Sequence, residues 1–200
     1  MINVKLYFFD TNKYTFDDIK SSLYITEADI NNSLRYKMDI NRKEALISSY
    51  FKNKYIDSEI YINKYDKPLS KNVLFNISHS NGLVVLGISE KYDIGIDIEK
   101  IREVKDTLIK YISNEEEYEY IKDEKSFYEI WTSKESIVKC LGKGLYKRVN
   151  EIPALPINGI KSFDGELYNS KIISSSEYVI SITLKTNEDF YIEFIEEMKI

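Results

Sequence analysis

Apolar positions recur along the chain with two periods, and each period predicts an element. Residues 2–9 alternate and then run apolar, which predicts a strand; 17–24 reads as a short helix, and 29–35 is polar and unassigned. Over 39–55, Leu46, Ile47, Tyr50, Phe51 and Tyr55 form one helical stripe, with Asp39 placed to cap it. Residues 59–62 alternate and lead to a turn at Lys67-Pro68. Apolar runs at 73–77 and 83–88 flank Ser78-His79-Ser80-Asn81-Gly82, a turn composition, so the pair reads as two strands joined there. In 94–98 the alternation is strict: Ile94, Ile96 and Ile98 share one face, and Gly95, Asp97 and Glu99 share the other. A helix is predicted over 101–112, and Ser113 followed by Glu116 has the spacing of a capping box. Phe127, Ile130, Trp131, Ile137, Val138 and Leu141 form a second long helical stripe. From there the pattern returns to strands, at 160–163, 166–168, 177–184 and 190–195. The order of elements predicts an α+β protein.

Polar residues on these faces carry the candidate chemistry. Asp97 and Glu99 stand about 7 Å apart along their strand and repel unless a cation or donors lie between them. Lys134 falls inside the apolar stripe of its helix, so it needs an anion or must snorkel to one. Glu135 lies at the edge of that stripe, and Lys139 is one turn further along the same side. Asp97, Glu99 and Glu135 are three hard oxygen donors of the kind that suit Mg²⁺, which often takes phosphate oxygens as further ligands. His79 is the single histidine and adjoins hydroxyls and Gly82, a setting able to present donors to a phosphate. Lys37 and Arg42 flank the start of the first long helix, and Lys139, Lys143, Lys147 and Arg148 form a basic patch after the second. That patch suits either a pyrophosphate or an acidic helix of a partner.

Composition narrows the class. The 200 residues carry a net charge of −5, which argues against general nucleic-acid affinity. No apolar run is long enough to cross a bilayer, and the start of the chain has no export pattern. A single cysteine, Cys140, excludes an internal disulfide and cysteine-rich zinc patterns. A cytoplasmic location fits these features.

Three segments in order, Asn76-Ile77-Ser78-His79-Ser80, Gly95-Ile96-Asp97-Ile98-Glu99 and Trp131-Thr132-Ser133-Lys134-Glu135-Ser136, resemble those of the 4′-phosphopantetheinyl transferases of the broad-specificity, surfactin-synthetase-activating type. The run Gly142-Lys143-Gly144-Leu145 matches as well, and the resemblance is clear over 35–148. It implies two similar α/β halves about a pseudo-twofold axis, each a small, mainly antiparallel sheet on a long helix. The halves would be 1–100 and 101–200, with the active site between them.

The resemblance also implies roles. Asp97, Glu99 and Glu135 would hold Mg²⁺ on the pyrophosphate of coenzyme A, and Lys139, with Lys134, would offset charge on the leaving phosphate. Lys37, Arg42, Lys67, Ser78, His79, Lys134 and Lys139 would bind the coenzyme. Glu116, in the family's Ser-x-x-Glu, or a water would take the proton of the acceptor serine. The family has further basic residues upstream of Lys37, where this chain reads Ile30-Asn31-Asn32-Ser33, so grip on the 3′-phosphate is weaker or comes from elsewhere. The partner would be an apo acyl or peptidyl carrier protein of fatty-acid, polyketide or nonribosomal-peptide synthesis, and the enzyme a monomer. Two other readings suit the same residues: a metal-dependent phosphodiesterase and a non-catalytic carrier-binding module.

Overall fold

The computed structural model describes residues 2–197. The expected strands and both long helices form. Ten strands, β1 Ile2–Asp10, β2 Ile60–Ile62, β3 Pro68–Ser70, β4 Leu74–Ser80, β5 Leu83–Ser89, β6 Ile94–Lys100, β7 Gly159–Phe163, β8 Glu166–Ser174, β9 Tyr178–Leu184 and β10 Phe190–Glu196, make two four-stranded sheets and one small hairpin. Six α-helices accompany them: α1 Phe16–Lys20, α2 Glu27–Ser33, α3 Asp39–Tyr55, α4 Asp106–Ile112, α5 Glu115–Tyr120 and α6 Glu124–Leu141. The α+β class holds, with sheets that are antiparallel except where β1 pairs parallel with β10.

The first sheet has the order β10-β1-β5-β4 and the second β6-β9-β8-β7. A shared apolar core lies between them: Val4, Leu6, Phe8 and Val85 meet Ile94, Ile96, Ile98, Ile180 and Ile182, all buried. The opposite face of the first sheet, Phe9, Phe75, Val84 and Leu86, buries Leu46, Ile47, Tyr50 and Phe51 of α3. The other face of the second sheet packs on α6. The sheets do not divide at Lys100. β6 belongs to the second sheet, while β10, almost at the far end of the chain, completes the first.

Three local readings change. The turn is only Asn81-Gly82, both with positive φ (50° and 86°), a two-residue hairpin connection, so Ser78, His79 and Ser80 lie on β4 itself. Residues 101–105 belong to no helix or strand, and α4 starts at Asp106. Most of the polar segment, 29–33, is part of α2, whose Thr26 and Asp29 form a reciprocal cap.

Candidate functional site

The site begins at the meeting of two sheet edges. β4 and β6 run alongside each other without a backbone ladder; β4 side chains bond instead to the β6 backbone. Asn76 Oδ1 accepts from Ile96 N at 2.8 Å, Ser78 Oγ from Ile98 N at 3.4 Å and Ser80 Oγ from Lys100 N at 3.5 Å. Side chains at i, i+2 and i+4 share a strand face, so one parity of β4 satisfies alternate amides of β6. The same hydroxyls hold the carboxylates. Ser78 Oγ donates to Asp97 Oδ1 at 2.9 Å and Ser80 Oγ to Glu99 Oε2 at 2.6 Å.

Helix α6 closes over this edge because Gly95 allows it. A Cβ at Gly95 would lie 2.0 Å from the Ser136 carbonyl oxygen and 2.2 Å from Cys140 N, so only glycine lets helix and strand approach this closely. Lys139 Nζ then reaches Asp97 Oδ1 at 2.6 Å and Ser78 Oγ at 2.8 Å. Cys140, on the same turn, is a buried structural thiol that donates to Asp93 O at 3.2 Å, and burial pushes it up to about 12.

Three carboxylates feel one another here. Burial raises Asp97 above the usual carboxylate range, against the pull of Lys139 and Ser78. Burial raises Glu99 as well, with the Asp97 charge adding to it and bonds from Ser80 and Trp131 opposing. Glu135 is raised by burial, then by Asp97 and Glu99, with Lys139 opposing. Asp97 Oδ2 is buried with no hydrogen-bond partner among the described residues. An orphaned carboxylate oxygen beside two mutually repelling carboxylates fits the donor chemistry of a hard divalent cation. Among the described residues, no group of three or more His, Cys, Asp or Glu side chains stands in metal-binding array, so the trio is a neighbourhood and not a closed ligand set.

Several expected site residues lie elsewhere or are engaged differently. Lys134 is fully buried in the second half, 2.7 Å from Glu117 Oε2, and donates to Val149 O and Ile152 O. Its ammonium is taken up inside the protein instead of facing the coenzyme site expected for it, and the anion that its place in the apolar stripe demanded is Glu117. Ser78 is buried between Asp97 and Lys139 and holds the carboxylate and the ammonium together. The capping box is shifted by one: Asn114 caps α5 and Glu117 answers it, while Ser113 Oγ bonds to Ile109 O. Glu116 is exposed beside Tyr120 and Leu155, and the charges acting on Asp97, Glu99 and Glu135 are one another's and those of Lys139 and Arg102. The capping role expected of Glu116 falls to Glu117.

Lys67 does line a hollow of about 230 Å³, with Tyr65, Pro68, Asn76, Val138 and Lys139. Its ammonium donates to Ile94 O (3.3 Å) and to Cys140 O (3.2 Å), tying the β2–β3 hairpin to the end of α6. Arg42 Nε is bonded to Tyr36 O at 2.8 Å, and Lys37 is exposed. His79 projects from the face of β4 opposite to Ser78 and Ser80, with Nδ1 3.2 Å from Glu44 Oε2. In the basic patch, Lys147 pairs with Asp164 at 2.6 Å. Sequence reasoning missed Ser80, Trp131 and Glu44. Ser80 was within reach, since it shares the parity of Ser78 on β4.

A mixed α+β fold with acidic side chains gathered where two sheet edges meet a helix is the class defined so far. Comparison with known proteins places it further. The model of the 4′-phosphopantetheinyl transferase superfamily matches residues 93–183, the stretch from β6 to β9 that contains Asp97, Glu99, Glu135 and Lys139. The 4′-phosphopantetheinyl transferase gsp of Aneurinibacillus migulanus is 40% identical over 95 residues, 44% of this chain and 40% of that protein. The 4′-phosphopantetheinyl transferases ffp of Bacillus subtilis and Sfp of Bacillus subtilis strain 168 are each 34% identical over 110 residues, 50% of this chain and 49% of theirs. The chain thus resembles the Sfp-like 4′-phosphopantetheinyl transferases, and it spans about half the length of the curated relatives it matches, or less.

Proposed function

We propose that this chain is an Sfp-like 4′-phosphopantetheinyl transferase that moves the phosphopantetheine arm of coenzyme A to a serine of an apo acyl or peptidyl carrier protein and releases 3′,5′-ADP. The observation that carries this reading is the convergence of Asp97, Glu99, Glu135 and Lys139 at the β4–β6 edge, within the stretch matched by the superfamily model. A cytoplasmic monomer in two halves is consistent with it, and no helix among the described residues is long and apolar enough to cross a membrane.

Phosphoryl transfer is mostly positioning and charge neutralisation. Asp97, Glu99 and Glu135 would hold a magnesium-type cation, which supplies charge neutralisation on the diphosphate when bound. Ser78 and Ser80 orient two of these carboxylates from β4. Lys139 faces the leaving phosphate and offsets its growing charge. The hollow bounded by Tyr65, Lys67 and Pro68 adjoins Lys139 and takes part of the coenzyme. Glu135 has no hydrogen bond or ion pair among the described residues, which leaves its carboxylate for the cation. A water at the site would take the serine proton as the serine oxygen bonds to the phosphorus that bears pantetheine and the bond to 3′,5′-ADP breaks.

The test is mass spectrometry of apo carriers of different classes incubated with coenzyme A and Mg²⁺. A gain of the phosphopantetheine arm is expected with the native chain and none with Asp97→Ala. Normal loading by Asp97→Ala, or cleavage of coenzyme A without any loaded carrier, would overturn the assignment.

A further inference from the structure

The hairpin of β2 and β3 belongs to neither four-stranded sheet, and no residue of either strand is fully buried. A two-stranded hairpin of that kind has little to hold it in place by itself. Its loop anchors it to the end of α6 through two side chains. Asn63 Oδ1 accepts from Tyr65 N at 2.8 Å and from Lys67 N at 3.0 Å, the local turn that asparagine commonly builds. Its Nδ2 donates away from the hairpin, to Gly142 O at 3.0 Å. Gly142 is the left-handed cap of α6, and the last carbonyls of a helix have no partner within it. Gly142 is buried, so its carbonyl oxygen needs a donor from elsewhere in the chain, and Asn63 brings one. Lys67 does the same for Cys140 O. The approach is close: a Cβ at Gly142 would lie 2.9 Å from Lys67 Cδ.

The same turn of α6 carries Lys139, and the hollow walled by Tyr65, Lys67 and Pro68 is lined by Lys139 as well. How the hairpin is fastened to α6 therefore sets the width of that hollow. We propose that Asn63 is a positioning residue for the transfer: its bond to Gly142 O latches the hairpin wall at the distance from Lys139 at which coenzyme A is gripped. Asn63 itself touches no reacting atom. The carboxamide matters because it accepts from two amides and donates to a carbonyl at once. A carboxylate in its place keeps the turn and loses the latch. This inference rests on coenzyme A being the substrate.

The experiment is steady-state loading of an apo carrier in Mg²⁺ by the native chain, Asn63→Asp and Asn63→Ala, with coenzyme A varied. The first variant keeps both acceptor bonds of the turn and the second adds no charge, so the loss common to them is the bond to Gly142 O. Both should raise KM for coenzyme A about three- to tenfold, the worth of one neutral hydrogen bond, with kcat within about twofold of native. Partial unfolding would instead lower kcat through the amount of active protein and leave KM as it was. A native KM in both variants, a fall in kcat at native KM, or a rise in KM confined to Asn63→Asp and abolished by salt would overturn the inference, while loading by the native chain upholds the transferase reading. If the native chain loads no carrier, the transferase reading fails and this inference with it.

Discussion

Lys139 on α6 and Asp97 on β6 form an ion pair at 2.6 Å, and the Ser78 hydroxyl is bonded to both. The pair joins the second sheet's edge strand to the helix above it and the first sheet's edge strand through Ser78. It also leaves Asp97 Oδ2 buried and without a partner among the described residues. The site is thus short of positive charge even with its lysine in place.

Lys139→Met should destabilise the chain by about 2–3 kcal/mol, because a buried carboxylate loses its counter-charge. Adding Asp97→Asn should recover part of that loss, since the uncompensated charge goes with it. Urea unfolding of the single and double variants checks both, and equal stability of native and Lys139→Met would remove the ion pair from any structural account.

Magnesium should raise the melting temperature of the native chain. Glu135→Gln should melt at or above the native temperature without metal, because one of three repelling carboxylates is gone, and it should lose most of the magnesium shift. A full magnesium shift in Glu135→Gln would place the cation elsewhere.

Gly95→Ala should cost about 3 kcal/mol or more, because its methyl group would meet the backbone at Ser136 and Cys140 and not a movable side chain. Carrier loading should fall beyond the loss of folded protein, since α6 must retreat from β6 and take Lys139 with it. Thermal melts and loading rates normalised to folded protein separate the two effects.

Lys134→Met or Glu117→Gln alone should cost about 3–5 kcal/mol, the usual penalty for stranding one member of a buried pair. Lys134→Met with Glu117→Leu should be closer to native stability. Affinity for coenzyme A should be unchanged wherever the variants are folded, a result incompatible with Lys134 at the phosphates.

Lys161 is 3% exposed, and burial pushes its ammonium down from 10.5 to about 8. Between those values the unfolded chain binds more protons than the folded one, so this residue makes stability rise with pH from about 8 to 10.5. Lys161→Met should therefore be more stable than native at pH 7 by up to about 3 kcal/mol, with the gain fading as pH approaches 10.5. Urea unfolding at pH 7, 9 and 10 reads this directly; a gain that does not change with pH would assign it to packing alone.

Local periodicity was enough to find what nearby residues decide. The parity of Ile94, Ile96 and Ile98 put Asp97 and Glu99 together, because a pleated strand sends alternate side chains to opposite faces. The helical stripe of α6 put Glu135 and Lys139 on one side, and three motifs in order pointed to the family. What failed needed a partner from a distant segment. That Lys134 required an anion was legible; that Glu117 supplies it, 17 positions earlier and from another helix, was not. The capping register slipped by one because Ser113 and Asn114 both precede glutamates at cap spacing, and only burial of Glu117 against Ala154 N chooses between them.

Periodicity by itself determined an α+β chain with two long helices and an acidic strand face, and three motifs in order carried the family resemblance. Tertiary packing alone decided that β10 completes the first sheet, that Ser78 serves Asp97, and that Asn63 meets Gly142. The physical reason is one of range. A side chain's face follows from its own backbone within a few residues, whereas a buried charge or hydroxyl is stable only beside whatever complementary group the rest of the chain brings to it.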